Sequence, residues 1–149
     1  MTRLGVHGTS EQSVFERDGQ YLTGTVETGA VTLGRLVKIG SGDGKVVTSG
    51  SGDAGVLGVA IAGYRTSRIA TDNQIAIGNP VTVCTRGVVN VTVSATGTAT
   101  RGTLAQSGET GTVDNVTVTT SATDLPKVVG MFLTSGAAGD TVKLKLMRG

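Results

Sequence analysis

Hydrophobic and polar positions alternate most regularly between Val81 and Ala95. Val81 and Val83 fall on one side, and Thr82, Cys84 and Arg86 on the other. After Gly87, the apolar Val89, Val91 and Val93 alternate with Asn90, Thr92 and Ser94. A period of two in β-branched residues is the signature of a half-buried strand. Gly87 marks a place where a bulge or bend redirects it. Pro80 fits the first position of this strand, where a missing N–H is tolerated. The last segment repeats the pattern, with Val142, Leu144 and Leu146 alternating with Lys143 and Lys145.

The rest of the chain is built in the same way. Tyr21 to Glu27 reads as a first strand, and Val31 to Ile39 as a second, with apolar Val31, Leu33, Leu36, Val37 and Ile39. Gly40 to Lys45 is a turn by composition and leads into Val46-Val47-Thr48. Val56 to Ala62 is a near-continuous apolar run between glycines, the pattern of a strand buried on both faces. Tyr64 to Asn73 is polar and reads as a surface connection. Gln74 to Ile77, Thr98 to Leu104, Thr112 to Thr119 and Lys127 to Thr134 complete the set, with loops at Gln106 to Gly111 and Ser121 to Pro126. Short helices are allowed only near Ser10 to Phe15 and Arg101 to Gln106. About nine or ten short strands at this spacing indicate an all-β domain, a sandwich or barrel. Val56-Leu57-Gly58-Val59-Ala60 and Val128-Val129-Gly130-Met131-Phe132 share one pattern, an apolar pair on each side of a glycine.

Composition narrows the chemistry. The chain has 149 residues, so one domain is the simplest organisation: an N-terminal arm over residues 1–20 and an all-β domain over 21–149. With no Trp and only Phe15, Tyr21, Tyr64 and Phe132 as aromatics, aliphatic side chains do most of the packing. The 24 glycines raise the entropy lost on folding, so oligomerisation or docking adds useful stability. The net charge of +2 is scattered without a basic block, which argues against direct nucleic-acid binding. No apolar run approaches the ~18 residues of a membrane helix. The N-terminus lacks the apolar core of a signal peptide, so the cytoplasm, or a particle assembled there, is the expected location. Cys84 is the only cysteine and His7 the only histidine, so neither an intrachain disulfide nor a His/Cys zinc site of several ligands is available.

Candidate motifs resolve into structure. Gly40-Ser-Gly-Asp-Gly-Lys45 looks like a phosphate loop, but Val46 follows the lysine where Ser or Thr and a helix are required. It reads as a hairpin turn. Asp43, Asp53, Asp72, Asp114, Asp124 and Asp140 mostly sit in turns, where aspartate bonds nearby backbone. Glu11 with Glu16, or Glu27 with Glu109, are the carboxylate pairs a glycosidase would need, but the aromatic platforms for a sugar are nearly absent. The sequons at Asn90 and Asn115 reflect the abundance of Thr. No catalytic residue, metal ligand or cofactor is expected.

The order of these elements resembles the capsid decoration, or cement, proteins of tailed phages. The resemblance is carried by Leu36-Val-Lys-Ile39 with its Gly/Asp turn and Lys45-Val46-Val47, by Val56-Leu-Gly-Val-Ala60, by Val81 to Val91, by Lys127-Val-Val-Gly-Met-Phe132 and by Ala138-Gly-Asp-Thr-Val-Lys-Leu-Lys-Leu146. It covers residues 25–149 and departs at Ala99 to Leu104, where similar proteins often carry Gly-Asp-aliphatic-Val. The resemblance implies a compact β-barrel-like or β-tulip-like domain, commonly a homotrimer. It implies a virion protein on the outer surface of an icosahedral head, bridging major capsid proteins against DNA pressure. The arm is the natural clamp, and Arg3, Leu4, Val6, His7, Val14, Phe15, Arg17 and Tyr21 are its candidate contact residues. Rival readings are a head-fibre base, a tail or baseplate module, or a small carbohydrate-binding module.

Overall fold

The computed structural model describes residues 20–63, 73–116 and 125–147. Its organising element is β7 (Pro80–Thr92), thirteen residues long and continuous through Gly87. The first half of β7 is flanked by β1 (Gln20–Val26) and β5 (Val56–Gly63), both antiparallel to it. Gly87 has φ 132° and is the residue at which β7 changes partners. From there to Thr92 it pairs with β11 (Thr141–Leu146). The expected redirection at Gly87 is thus a change of neighbours within one strand.

Each half of β7 belongs to its own ring of strands. In the first, β5 pairs with β3 (Leu36–Ile39), β3 with β4 (Lys45–Thr48), and β4 in parallel with β1, which returns to β7. In the second, β11 pairs with β10 (Val128–Phe132), β10 with β8 (Leu104–Ser107), and β8 with β9 (Val113–Asn115). That ring closes back on β7 through a Val93–Val113 bridge, with the Ser94 N–H donating to Val113 O at 2.8 Å. The small pair β2 (Val31–Thr32) and β6 (Gln74–Ile75) sits beside the first ring.

The core follows this division. Val26, Val37, Val46, Ala60, Val81 and Val83, drawn from all five strands of the first ring, form one cluster with Val31, Leu33 and Ile75. Val89, Val91, Ala105, Val113, Val129, Phe132, Val142, Leu144 and Leu146 form the other, together with Leu36, Val56, Val59 and Cys84. β5 is therefore buried on both faces, as its apolar run implies: Val56 and Val59 serve one cluster and Ala60 the other. Each fully buried aliphatic side chain contributes about 1.5–3 kcal/mol of transfer free energy, so a Val-rich core is adequate.

The all-β domain expected from the sequence is the one observed, with eleven strands among the described residues. Local details differ. Val31 to Ile39 is broken by a turn at Leu33–Arg35, because Val31 and Thr32 leave to pair with β6. Thr98 to Leu104 is mostly turn, joined to Gly136 only by the Ala99 bridge. The helix allowed at Arg101 to Gln106 is a turn running into β8, and that strand takes Gln106 and Ser107 from the expected loop. β8 owes its form to neighbours on both sides rather than to its own β propensity. The helix allowed at Ser10 to Phe15, most of the connection from Tyr64 and most of the turn region from Ser121 lie outside the described residues.

Candidate partner-binding surface

Of the eight candidate contact residues, Tyr21 lies within the described structure; Arg3, Leu4, Val6, His7, Val14, Phe15 and Arg17 lie outside it. Tyr21 is half exposed on β1, opposite Cys84 of β7. Burial, with a smaller contribution from Cys84, raises its phenol pKa above the ordinary value. Cys84 itself is fully buried, and its Sγ donates to the Arg86 carbonyl at 3.2 Å. The thiol packs as a small apolar residue.

Next to Tyr21 the first ring opens into a cleft of about 360 Å³. One wall is Leu22-Thr23-Gly24 of β1, the other is the β3–β4 hairpin from Ile39 to Val46, and Leu57 of β5 also lines it. Leu22 and Leu57 are half-buried against the first-ring cluster. Ile39 is 61% exposed, more than any other large apolar residue among those described. An apolar floor with an exposed isoleucine at its rim is a surface suited to a partner.

The hairpin is held rigidly by a residue that sequence reasoning considered only as a catalytic carboxylate. Glu27 accepts from Ser41 N–H at 2.8 Å, Ser41 Oγ–H at 2.5 Å and Gly42 N–H at 3.2 Å. The Ser41 bonds hold the Glu27 carboxyl below the usual carboxylate range. A depressed pKa stabilises the fold above the unfolded pKa, and the contribution disappears as pH falls through the folded one. The hairpin is therefore expected to loosen as pH falls below the ordinary glutamate range and through the lowered folded pKa. Protection of the Ser41 and Gly42 amides, taken relative to the free-peptide rate at each pH, should fall there in the native protein. In Glu27→Gln that protection should already be lower at neutral pH and nearly flat with pH; a Gln variant with the native profile assigns the pH response elsewhere.

A second groove, of about 590 Å³, is lined in part by Arg35, Lys38 and Thr110. Arg35 donates to Thr110 O at 3.1 Å and to its Oγ1 at 3.3 Å, tying the first ring to the turn before β9. Thr110 has φ 52°, a left-handed conformation uncommon for threonine, and this clamp helps hold it there. Lys38 pairs with Asp53 at 2.7 Å, which keeps the Asp53 carboxyl below its ordinary range. Behind the groove, Ser49 and Ser107 join their hydroxyls at 2.6 Å in a fully buried contact between the rings.

The remaining acidic candidates build turns. Asp114 accepts from Thr98 and Asn115 N–H, Asp140 from Ala137 N–H, and Glu109 from Ser94 Oγ–H. Asn115, the second sequon residue, binds Thr98, Thr100 and Thr103 through its side chain. Among the described residues, no group of three or more His, Cys, Asp or Glu is placed to hold a metal. No described helix is long and apolar enough to cross a membrane.

Comparison with known proteins adds two findings. Residues 5–147 match the family model for phage structural cement proteins, described as structural cement protein (E217 gp24/Pam3 gp6). The fold is similar to the crystal structure of the head fiber gp8.5 N base of bacteriophage phi29. That similarity has a TM-score of 0.51 at 16% identity, over 88% of this chain and 96% of that one. No curated protein matches the chain.

Proposed function

The chain belongs to the phage structural cement protein family, and on that premise we propose that it decorates the outer surface of an icosahedral phage head and bridges major capsid proteins. The observation that supports this reading is the reach of the family match, from the arm through β11. The protein is a structural component of the phage particle. Its work is mechanical and requires no catalysis or cofactor: packaged DNA pushes the capsomers apart, and a bridging protein adds interface across their junctions. It acts as a homotrimer, assembled on heads in the host cytoplasm. A contact set of about −8 to −12 kcal/mol corresponds to μM–nM affinity, and three linked contact sets make loss of the whole rare.

In this reading the double-ring body sets position while an N-terminal arm over residues 1–20 supplies reach. Arg3, Leu4, Val6, His7, Val14, Phe15, Arg17 and Tyr21 are the contact residues in this reading. The test is rebinding to heads stripped of this protein. The full chain should bind and raise the temperature at which heads release DNA. A chain lacking residues 1–20 should bind at least tenfold more weakly while keeping its β circular dichroism. Equal binding by the truncated chain removes the arm from the interface, and absence of binding by the full chain removes the bridging function.

A further inference from the structure

We propose, on the basis of the bridging function, that the groove lined by Arg35 and Thr48 docks an extended acidic segment of the capsid protein, with a carboxylate on Arg35 and backbone on the open edge of β4. The charged residues lining the groove are Arg35 and Lys38, both cations. The neighbouring carboxylates are engaged elsewhere: Glu27 with Ser41 and Gly42 of the hairpin, and Glu109 with Ser94. Asp53 offsets the charge of Lys38 and not that of Arg35. Arg35 commits Nη1 to Thr110, which steadies the guanidinium, while its Nε and Nη2 have no partner among the described residues. That free edge is a two-donor fork matched to a carboxylate. The hydroxyls of Thr28, Thr32 and Thr48, which also line the groove, are likewise without a partner among the described residues.

The backbone favours a peptide over a free anion. Gly40 N–H donates to Lys45 O at 2.8 Å and Ser49 N–H to Leu36 O at 3.0 Å, so odd-numbered residues along β4 aim their hydrogen-bonding groups at β3. Alternation turns those of Val46 and Thr48 to the side of β1. Val46 O takes the Glu27 N–H at 3.0 Å, but the β1–β4 pairing stops at Val26 and Val46. The chain then bends away at Thr28 and Gly29, where Gly29 has φ 67°. Thr48 is left on that side with no described strand beside it, at the wall of the groove. An edge this short offers few backbone bonds to an added strand. The Arg35 fork supplies the second anchor, so the charge on the incoming side chain decides how tightly it is held.

The test gives the groove a carboxylate of its own and measures rebinding to heads stripped of this protein. Thr28 and Ala30 are exposed lining residues outside the strands. Thr28→Glu and Ala30→Glu should each bind heads at least about tenfold more weakly than the native chain, and Thr28→Gln and Ala30→Gln within about twofold of it. All four should keep the native urea midpoint, because neither residue is in the core. Native-like binding by both Glu variants overturns the proposal. Equal weakening by the Gln variants overturns it too, because bulk and not charge then blocks the groove. A Glu variant that changes the mass of the free protein in light scattering also overturns it, because the occupant is then a second copy. Failure of the bridging function itself looks different: the native chain does not bind heads, and this docking mode falls with it.

Discussion

Gly58→Ala should destabilise the protein by about 3 kcal/mol or more, the largest effect expected of any single methyl group among the described residues. Gly58 sits in β5 where the ladder to β3 shifts register, at Val37 to Lys38. A Cβ placed there overlaps the carbonyl oxygen of Cys84 on β7. The obstacle is backbone, so no side-chain rotation relieves it. β5 and β7 would have to separate at the junction of the two rings. In urea the midpoint should fall sharply with the slope unchanged. A loss below 1 kcal/mol would show that the strands part cheaply at this point. Gly130 stands in the matching position of β10, where a Cβ overlaps Lys145 O of β11 and the ladder to β8 also slips. The shared glycine pattern of these two segments thus has one physical reason: each strand passes unusually close to its neighbour.

Phe132→Ala should cost about 3–5 kcal/mol. Phe132 is fully buried and heads the fully buried side chains in volume. The residues around it are mostly valine and leucine, and valine's stiff χ1 limits how far the site can collapse into the space left. Its backbone is fixed as well, since Phe132 N–H donates to Thr103 O at 3.0 Å and Gly102 N–H to Phe132 O at 2.8 Å. Phe132→Leu keeps most of the volume and should recover more than half of the loss. Equal losses for Ala and Leu would mean that ring shape, rather than cavity volume, sets the cost.

The sequence reveals most where burial imposes a period. β7 and β11 are legible because their side chains face a core at fixed intervals, and β5 because a strand buried on both faces is apolar nearly throughout. β2, β6 and β8 are short, and what makes them strands is the partner beside them, which lies far away in sequence. The two-ring arrangement is hidden for the same reason, since the switch at Gly87 is a fact about neighbours. Tyr21 is visible in advance as an aromatic at the start of the domain. The cleft beside it is not, because Ile39 reads as one more apolar residue in a β3 whose Leu36 and Val37 are indeed buried. The Glu27 clamp spans fourteen residues to Ser41 and becomes apparent only when β1 and the hairpin are side by side.

The single strand common to both rings also decides how the molecule bears force. If partners grip the two rings and pull along β7, tension passes from one ring to the other through covalent backbone. Failure then requires sliding β7 lengthwise against β1 and β5, or against β11, with the bonds of that ladder strained together. A pull across the strands would instead peel the bonds apart one after another. Resistance to a pull is thus greatest along the axis of β7.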